Sequence, residues 1–256
     1  AGLLIMIFIL PLLLFTPDGT TRGMSIRQAA SQGVREVLET VRQLRHYANI
    51  AWYLLARMLF NDGMVGVLIF GGVYASGNFD WGTITLLIFG LVTSTSAMIG
   101  AYIGGLLDDR FGSMKTLKIS IWMSGVILVF MTSIAPGSIL FFVPVDTMPV
   151  WGFPYFPTIA ELTYLGATQV FALFFVTGLS TSRTVMARIS PPEMATQFFG
   201  LYGLSGSVTA FLAPLLVAIV TDITQSQRIG FASLALLIFF GGLLLTKVTE
   251  ERSEVA

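Results

Sequence analysis

Seven apolar runs dominate this 256-residue chain: Gly2–Phe15, Tyr53–Tyr74, Trp81–Leu107, Lys118–Ile134, Leu162–Thr181, Phe198–Val220 and Ile229–Thr246. Five of them approach or exceed the roughly 20 residues that cross a bilayer core about 30 Å thick. They show no period-2 alternation and are too long for barrel strands, so helices are the spanning structure they can form. The expectation is an all-α, polytopic membrane helix bundle.

The placement of charge supports it. Only 11% of the residues are charged, against about 25% in an ordinary soluble domain. Threading the chain through the runs gathers Arg22, Arg27, Arg35, Arg42, Arg45, Arg110, Lys115, Lys118, Arg183, Arg188, Lys247 and Arg252 on one set of connections, with Arg57 just inside the second run. The opposite connections hold only Arg228, and the long Ala135–Glu161 connection has no basic residue. The positive-inside rule makes the basic face cytoplasmic. In the Ala135–Glu161 connection, Trp151 and Tyr155 suit an aromatic belt at the outer interface.

The first run, Gly2–Phe15, is short for a span. It has no basic residue before it and no small-x-small cleavage pattern in Phe15-Thr16-Pro17-Asp18-Gly19, which argues against a signal peptide. It reads as the end of a truncated transmembrane helix. From Ser25, the apolar positions Val34, Leu38, Val41 and Leu44 recur at helical steps among Arg27, Arg35, Arg42 and Arg45. This reads as an amphipathic helix at the membrane surface or a solvated linker helix. The expected organisation is therefore a partial helix over 1–16, a cytoplasmic linker over 17–49, six helices over 50–248 and a cytoplasmic tail over 249–256.

The second run carries Arg57, Asn61, Asp62 and Gly63. A charge inside a span costs about 2.5–3.5 kcal/mol on insertion scales, so such residues usually face a cavity or a partner. Arg57 and Asn61 are one turn apart and share a face. Asp62 is turned about 140° from Arg57 at 3.6 residues per turn, so it should face a neighbouring helix. These three, with Gln169 in the fifth run, are the candidates for a substrate or proton pathway. The competing reading has Arg57 snorkelling to the surface and Asp62 capping a structural kink. Gly100 and Gly104, and Gly200, Gly203 and Gly206, are small residues at spacings that suit close helix packing.

At the end of the third run, Gly105-x-Leu107-x-Asp109-Arg110-x-Gly112 reads as a tight hairpin, and it resembles the loop motif of the major facilitator superfamily. Ser113 and Met114 replace the basic pair that usually follows, with Lys115 one place later. Further stretches are similar to one branch of that superfamily, which includes the yeast vacuolar amino-acid effluxer linked to autophagy and many bacterial permeases. They are Leu54–Gly63, Ser182-Arg183, Ala187-Arg188-Ile189-x-Pro191, Phe198–Gly206, Pro214-Leu215-Leu216 and Thr221-Asp222. Leu10–Phe15 resembles the end of that branch's sixth helix.

The resemblance implies helices six to twelve of a twelve-helix carrier, with Asp109 and Arg110 in a cytoplasmic gate and an N-terminal half as the missing partner. It implies a secondary transporter of a small polar solute, with amino acids favoured, in a bacterial cytoplasmic membrane or, in a eukaryote, a vacuolar one. Besides the bilayer, its partners would be that solute and protons.

Other classes fit less well. No phosphate-binding loop of the G-x-x-x-x-G-K-[ST] type occurs. There is no cysteine, and the single histidine, His46, sits on the linker, so neither a membrane enzyme nor a bound metal or cofactor is expected. Zero net charge without a dense basic tract gives no basis for nucleic-acid binding. The alternative is a non-transporting scaffold or sensor that retains a carrier fold.

Overall fold

The computed structural model describes residues 44–250 together with Ile9 and Arg42. The run Gly2–Phe15 apart from Ile9, most of the linker with Arg22, Arg27 and Arg35, and the tail with Arg252 lie outside the described residues.

Among the described residues, six helices are long and apolar enough to cross a membrane, and they match the second to seventh runs. In chain order they are α1 (Ala48–Phe79), α2 (Thr83–Phe111), α3 (Ser113–Thr132), α4 (Ile159–Ile189), an interrupted span of α5 (Ala195–Val208) and α6 (Leu212–Thr224), and α7 (Gln227–Leu245). A 3₁₀ turn over Leu44–His46 precedes α1, and another over Pro192–Met194 precedes α5. At 1.5 Å per residue, the 32 residues of α1 reach about 48 Å, more than the bilayer core needs.

Short turns force neighbouring helices antiparallel. Asp80, in the left-handed conformation, ends α1 three residues before α2 begins. Gly112 at φ +84 serves as both the last cap of α2 and the first cap of α3. Its N–H donates to the Asp108 carbonyl at 2.9 Å, while Thr116 Oγ1 donates back to the Leu107 carbonyl at 3.0 Å. Thr158 caps α4 by accepting from the Glu161 N–H, and Ser226 caps α7 in the same way through Ile229.

The centre of the bundle is built from α1 lying along α7, α2 along α4, and α3 against both α4 and α7. Glycines set these approaches. A Cβ at Gly241 would stand 2.5 Å from the Phe60 nitrogen and one at Gly100 2.7 Å from the Leu173 backbone, so each glycine admits the backbone of its neighbour.

Three sequence expectations change. The Phe198–Val220 run is not one continuous helix but breaks at Thr209–Phe211. The long connection holds a two-stranded antiparallel pairing, β1 (Ser138–Ile139) with β2 (Val143–Pro144), where no strand was expected. Of the glycines offered as packing residues, Gly200 and Gly203 have no atom within 4 Å of where a Cβ would stand, so only Gly206 of that trio packs among the described residues. Spacing alone put all three on one side of a helix, but that side is largely uncovered.

Candidate functional site

Both charged residues of α1 are buried, Arg57 at 8% exposure and Asp62 at 3%, and they engage opposite sides of the break in the fifth span. Arg57 reaches α5. Its Nη1 donates to the Tyr202 carbonyl at 2.8 Å and to Ser205 Oγ at 2.7 Å, and its guanidinium lies 3.6 Å from the centre of the Tyr202 ring. Gly206 leaves room beside it, since a Cβ there would stand 3.0 Å from Nη1, tighter than an ordinary contact. No carboxylate among the described residues pairs with Arg57, and its Nε is buried without an acceptor. A buried cation held by neutral acceptors and an aromatic face is stabilised without being neutralised.

Asp62 reaches α6. Its Oδ2 accepts from the Ala213 N–H at 2.9 Å, at the first turn of a half-helix that starts inside the span. The first N–H groups of a helix lack intrahelical partners, and the N-terminal end of its dipole favours a negative charge. Pro214 sits in the same turn, where its missing N–H costs no helical bond. Thr209 Oγ1 donates to the Ser205 carbonyl at 3.1 Å within the break. Asp62 therefore supports the interruption as well as being an acid in the membrane. As its angular offset from Arg57 requires, it faces a neighbouring helix.

The polar cluster continues from Arg57. Ser182 Oγ lies 2.7 Å from the Tyr53 hydroxyl, and the Tyr202 hydroxyl donates to it at 3.2 Å, which ties α1, α4 and α5 together. Tyr53, Tyr202 and Ser205 were not singled out from sequence. The usable signal was the Gly- and Ser-rich stretch Gly203–Ser207 followed by Pro214, a composition that marks breaks in apolar helices.

The other candidates are dispersed. Asn61 is half-buried and makes no side-chain hydrogen bond among the described residues. Gln169 Nε2 donates to Thr93 Oγ1 at 3.3 Å and to the Leu165 carbonyl at 3.1 Å, with its Oε1 buried and unpartnered. It sits on the α2–α4 contact, apart from the Arg57 cluster. Gly100 and Gly104 lie on that same contact, where Thr177 Oγ1 donates to the Gly100 carbonyl at 3.0 Å. At the hairpin, Gly105, Asp109 and Arg110 are exposed. Asp109 and Arg110 form no ion pair among the described residues.

Two open cavities flank α1. One of about 450 Å³ lies between α1, α2 and α4, lined mostly by apolar groups such as Phe89 and Phe171, with Thr93 and Thr168 as polar exceptions. The other, about 530 Å³, lies between α1, α6 and α7 and includes Tyr74, Thr221 and Asp222. Among the described residues, no group of three or more His, Cys, Asp or Glu is placed to hold a metal.

The family model for vacuole effluxer Atg22-like proteins matches residues 1–256. An uncharacterized major-facilitator-type transporter of Bacillus subtilis, YxiO, is 26% identical over 215 residues, which is 84% of this chain and 44% of that protein. Autophagy-related protein 22 of Cryptococcus neoformans is 23% identical over 211 residues, 82% of this chain and 36% of the relative. Its Saccharomyces cerevisiae counterpart is 23% identical over 221 residues, 81% and 37% respectively. The chain thus spans less than half the length of each of these relatives.

Proposed function

This chain belongs to the Atg22-like vacuole effluxer family, and from that premise we propose that it is the C-terminal half of a secondary transporter moving a small polar solute by alternating access. The observation that carries the reading is the pair of buried charges on α1 gripping the two halves of an interrupted span. An interrupted helix with buried ionisable partners is where carriers of other families place substrate and coupling-ion sites. In this reading Arg57, with Asn61 one turn away, offers donors to the solute, and amino acids are the favoured class because the sequence resembles the branch that includes the yeast vacuolar amino-acid effluxer. Asp62 is the coupling acid, Asp109 and Arg110 belong to a cytoplasmic gate, and the basic end of the bundle faces the cytoplasm. Transport, and not catalysis, is the proposed activity. The rest of the carrier, including the half that would close the cavities, is supplied by the upstream part of the same protein.

The Ala213 N–H bond gives Asp62 a second reading, as a structural cap of α6. The two separate on Asp62→Asn, whose amide oxygen can still accept that bond but which cannot titrate at neutral pH. The full-length protein, reconstituted in liposomes, is assayed for uptake of an amino-acid panel with and without a proton gradient. Coupling by Asp62 requires normal insertion, loss of gradient-driven uptake and retained solute exchange. Full gradient-driven uptake by the variant would remove Asp62 from coupling, and failure to insert would assign it to the fold. A wild-type protein that moves no member of the panel in either direction would favour the scaffold.

A further inference from the structure

The connection between α3 and α4 has its apolar side chains turned outward. Phe142 is 80% exposed and Phe153 63%, and Phe141, Met148, Val150 and Trp151 are exposed with them. Connections in proteins surrounded by water are normally polar at such positions. Asp146 is the only charged residue from Ala135 to Ala160.

The segment is nevertheless built to hold this display. Leu140 and Phe141, at the tip of the β1–β2 pairing, both take left-handed backbone conformations, φ 54 and 69, which L side chains disfavour. The N–H groups of Phe141, Val145 and Val150 turn inward to the carbonyls of Ser133, Gly137 and Pro157 at 3.1, 3.0 and 2.8 Å. Trp151 Nε1 donates to the Phe156 carbonyl at 3.0 Å, leaving the apolar part of the indole outward. Two anchors fix the segment to the bundle. Phe156 is buried edge-on against Trp81, ring centres 4.9 Å apart, and Arg228 lies 4.7 Å from the centre of the Phe141 ring while donating to the Thr132 carbonyl at 2.6 Å.

We infer that residues 138–156 form a rigid platform that lies in the interfacial zone of the bilayer, with Phe142, Phe153 and Trp151 among the lipid headgroups and upper acyl chains. The partner is the lipid surface, and three observations select it. The connection that holds the platform joins two membrane-spanning helices, α3 ending at Thr132 and α4 starting at Ile159, which keeps it within a few residues of the membrane boundary. Its aromatic side chains are the type favoured where water gives way to hydrocarbon. Its backbone is satisfied internally at Phe141, Val145 and Val150, which lowers the cost of leaving water at those positions. A protein partner chosen by charge has almost nothing to read here. The inference needs only that the helices span a membrane and is independent of what, if anything, is transported.

The absence of cysteine from this chain makes the test direct. In the full-length protein, with any upstream cysteine replaced, Phe142→Cys, Phe153→Cys and Asp146→Cys are each spin-labelled and reconstituted into phosphatidylcholine vesicles. Collision of each label with oxygen, which concentrates in lipid, is compared with collision with a water-soluble nickel chelate. Labels at 142 and 153 are expected to favour oxygen several-fold over the nickel chelate, with the label at 146 showing the reverse preference. Equal access of the chelate to 142, 146 and 153 would overturn the proposal in favour of a water-exposed loop. Shielding of 142 and 153 from both reagents would overturn it in favour of a protein contact. Met148→Cys and Val150→Cys supply the same reading if either phenylalanine variant fails to assemble.

Discussion

Helices α1 and α2 are nearly equal in length and apolarity but relate to the protein in opposite ways. Fourteen residues of α1 are buried, including Arg57 and Asp62, whereas α2 buries only Phe89, Gly100 and Gly104. The single acid of α1 is held by the Ala213 N–H, whereas of the two acids of α2 Asp108 is half-buried and Asp109 stands exposed at the hairpin. Hydrophobicity places both helices in the membrane because lipid and protein interior are equally apolar. It therefore carries no information about which of the two covers a given face. Small residues and polar groups do carry it: α1 is lined with both along its packed faces, while α2 has its glycine pair on one stripe and exposed Leu, Ile and Met elsewhere.

The contrast is open to attack by substitution. The largest effect is expected from Gly241→Leu, because a side chain there meets the Phe60 nitrogen and the Ala56 carbonyl and must push α7 off α1 at the centre of the bundle. A cost of about 3 kcal/mol or more, the upper end for overpacking, should appear as loss of a monodisperse peak after detergent extraction. Gly100→Leu meets the Leu173 backbone just as closely, but α2 is tied mainly to α4 and can peel away. About 1–3 kcal/mol, read as a lower melting temperature in detergent, is expected there. An equal collapse in both variants would mean that α2 is as integral to the bundle as α1.

Asp109→Asn should leave melting temperature and membrane yield unchanged, since Asp109 holds no ion pair among the described residues, yet reduce transport if the hairpin acts as a gate. Wild-type transport rates in this variant would make the motif a vestige. The smallest effect belongs to Gly203→Leu, within about 0.5 kcal/mol in melting experiments on this chain, because the space beside Gly203 is open. A large loss of transport with intact melting would show that the open face of α5 is used by something outside the chain.

The membrane class, the number of described spans and the hairpin at Gly112 were readable directly from residues. Each depends on local properties: run length, charge bias, and a glycine where φ must be positive. Which side of a helix is covered was not readable. Gly100 and Gly200 look alike in sequence and differ only in what α4 and the bare flank of α5 place beside them. The buried charges show the same division. Their presence in a span marked Arg57 and Asp62 as special, but the sequence left Arg57 without partners and could not separate a coupling acid from a helix cap. The partners, Tyr202, Ser205 and the Ala213 N–H, are about 150 positions away along the chain. Only the packing of α1 against a helix broken at Thr209–Phe211 brings them together, because an unpaired N–H exists at Ala213 only once that helix is interrupted.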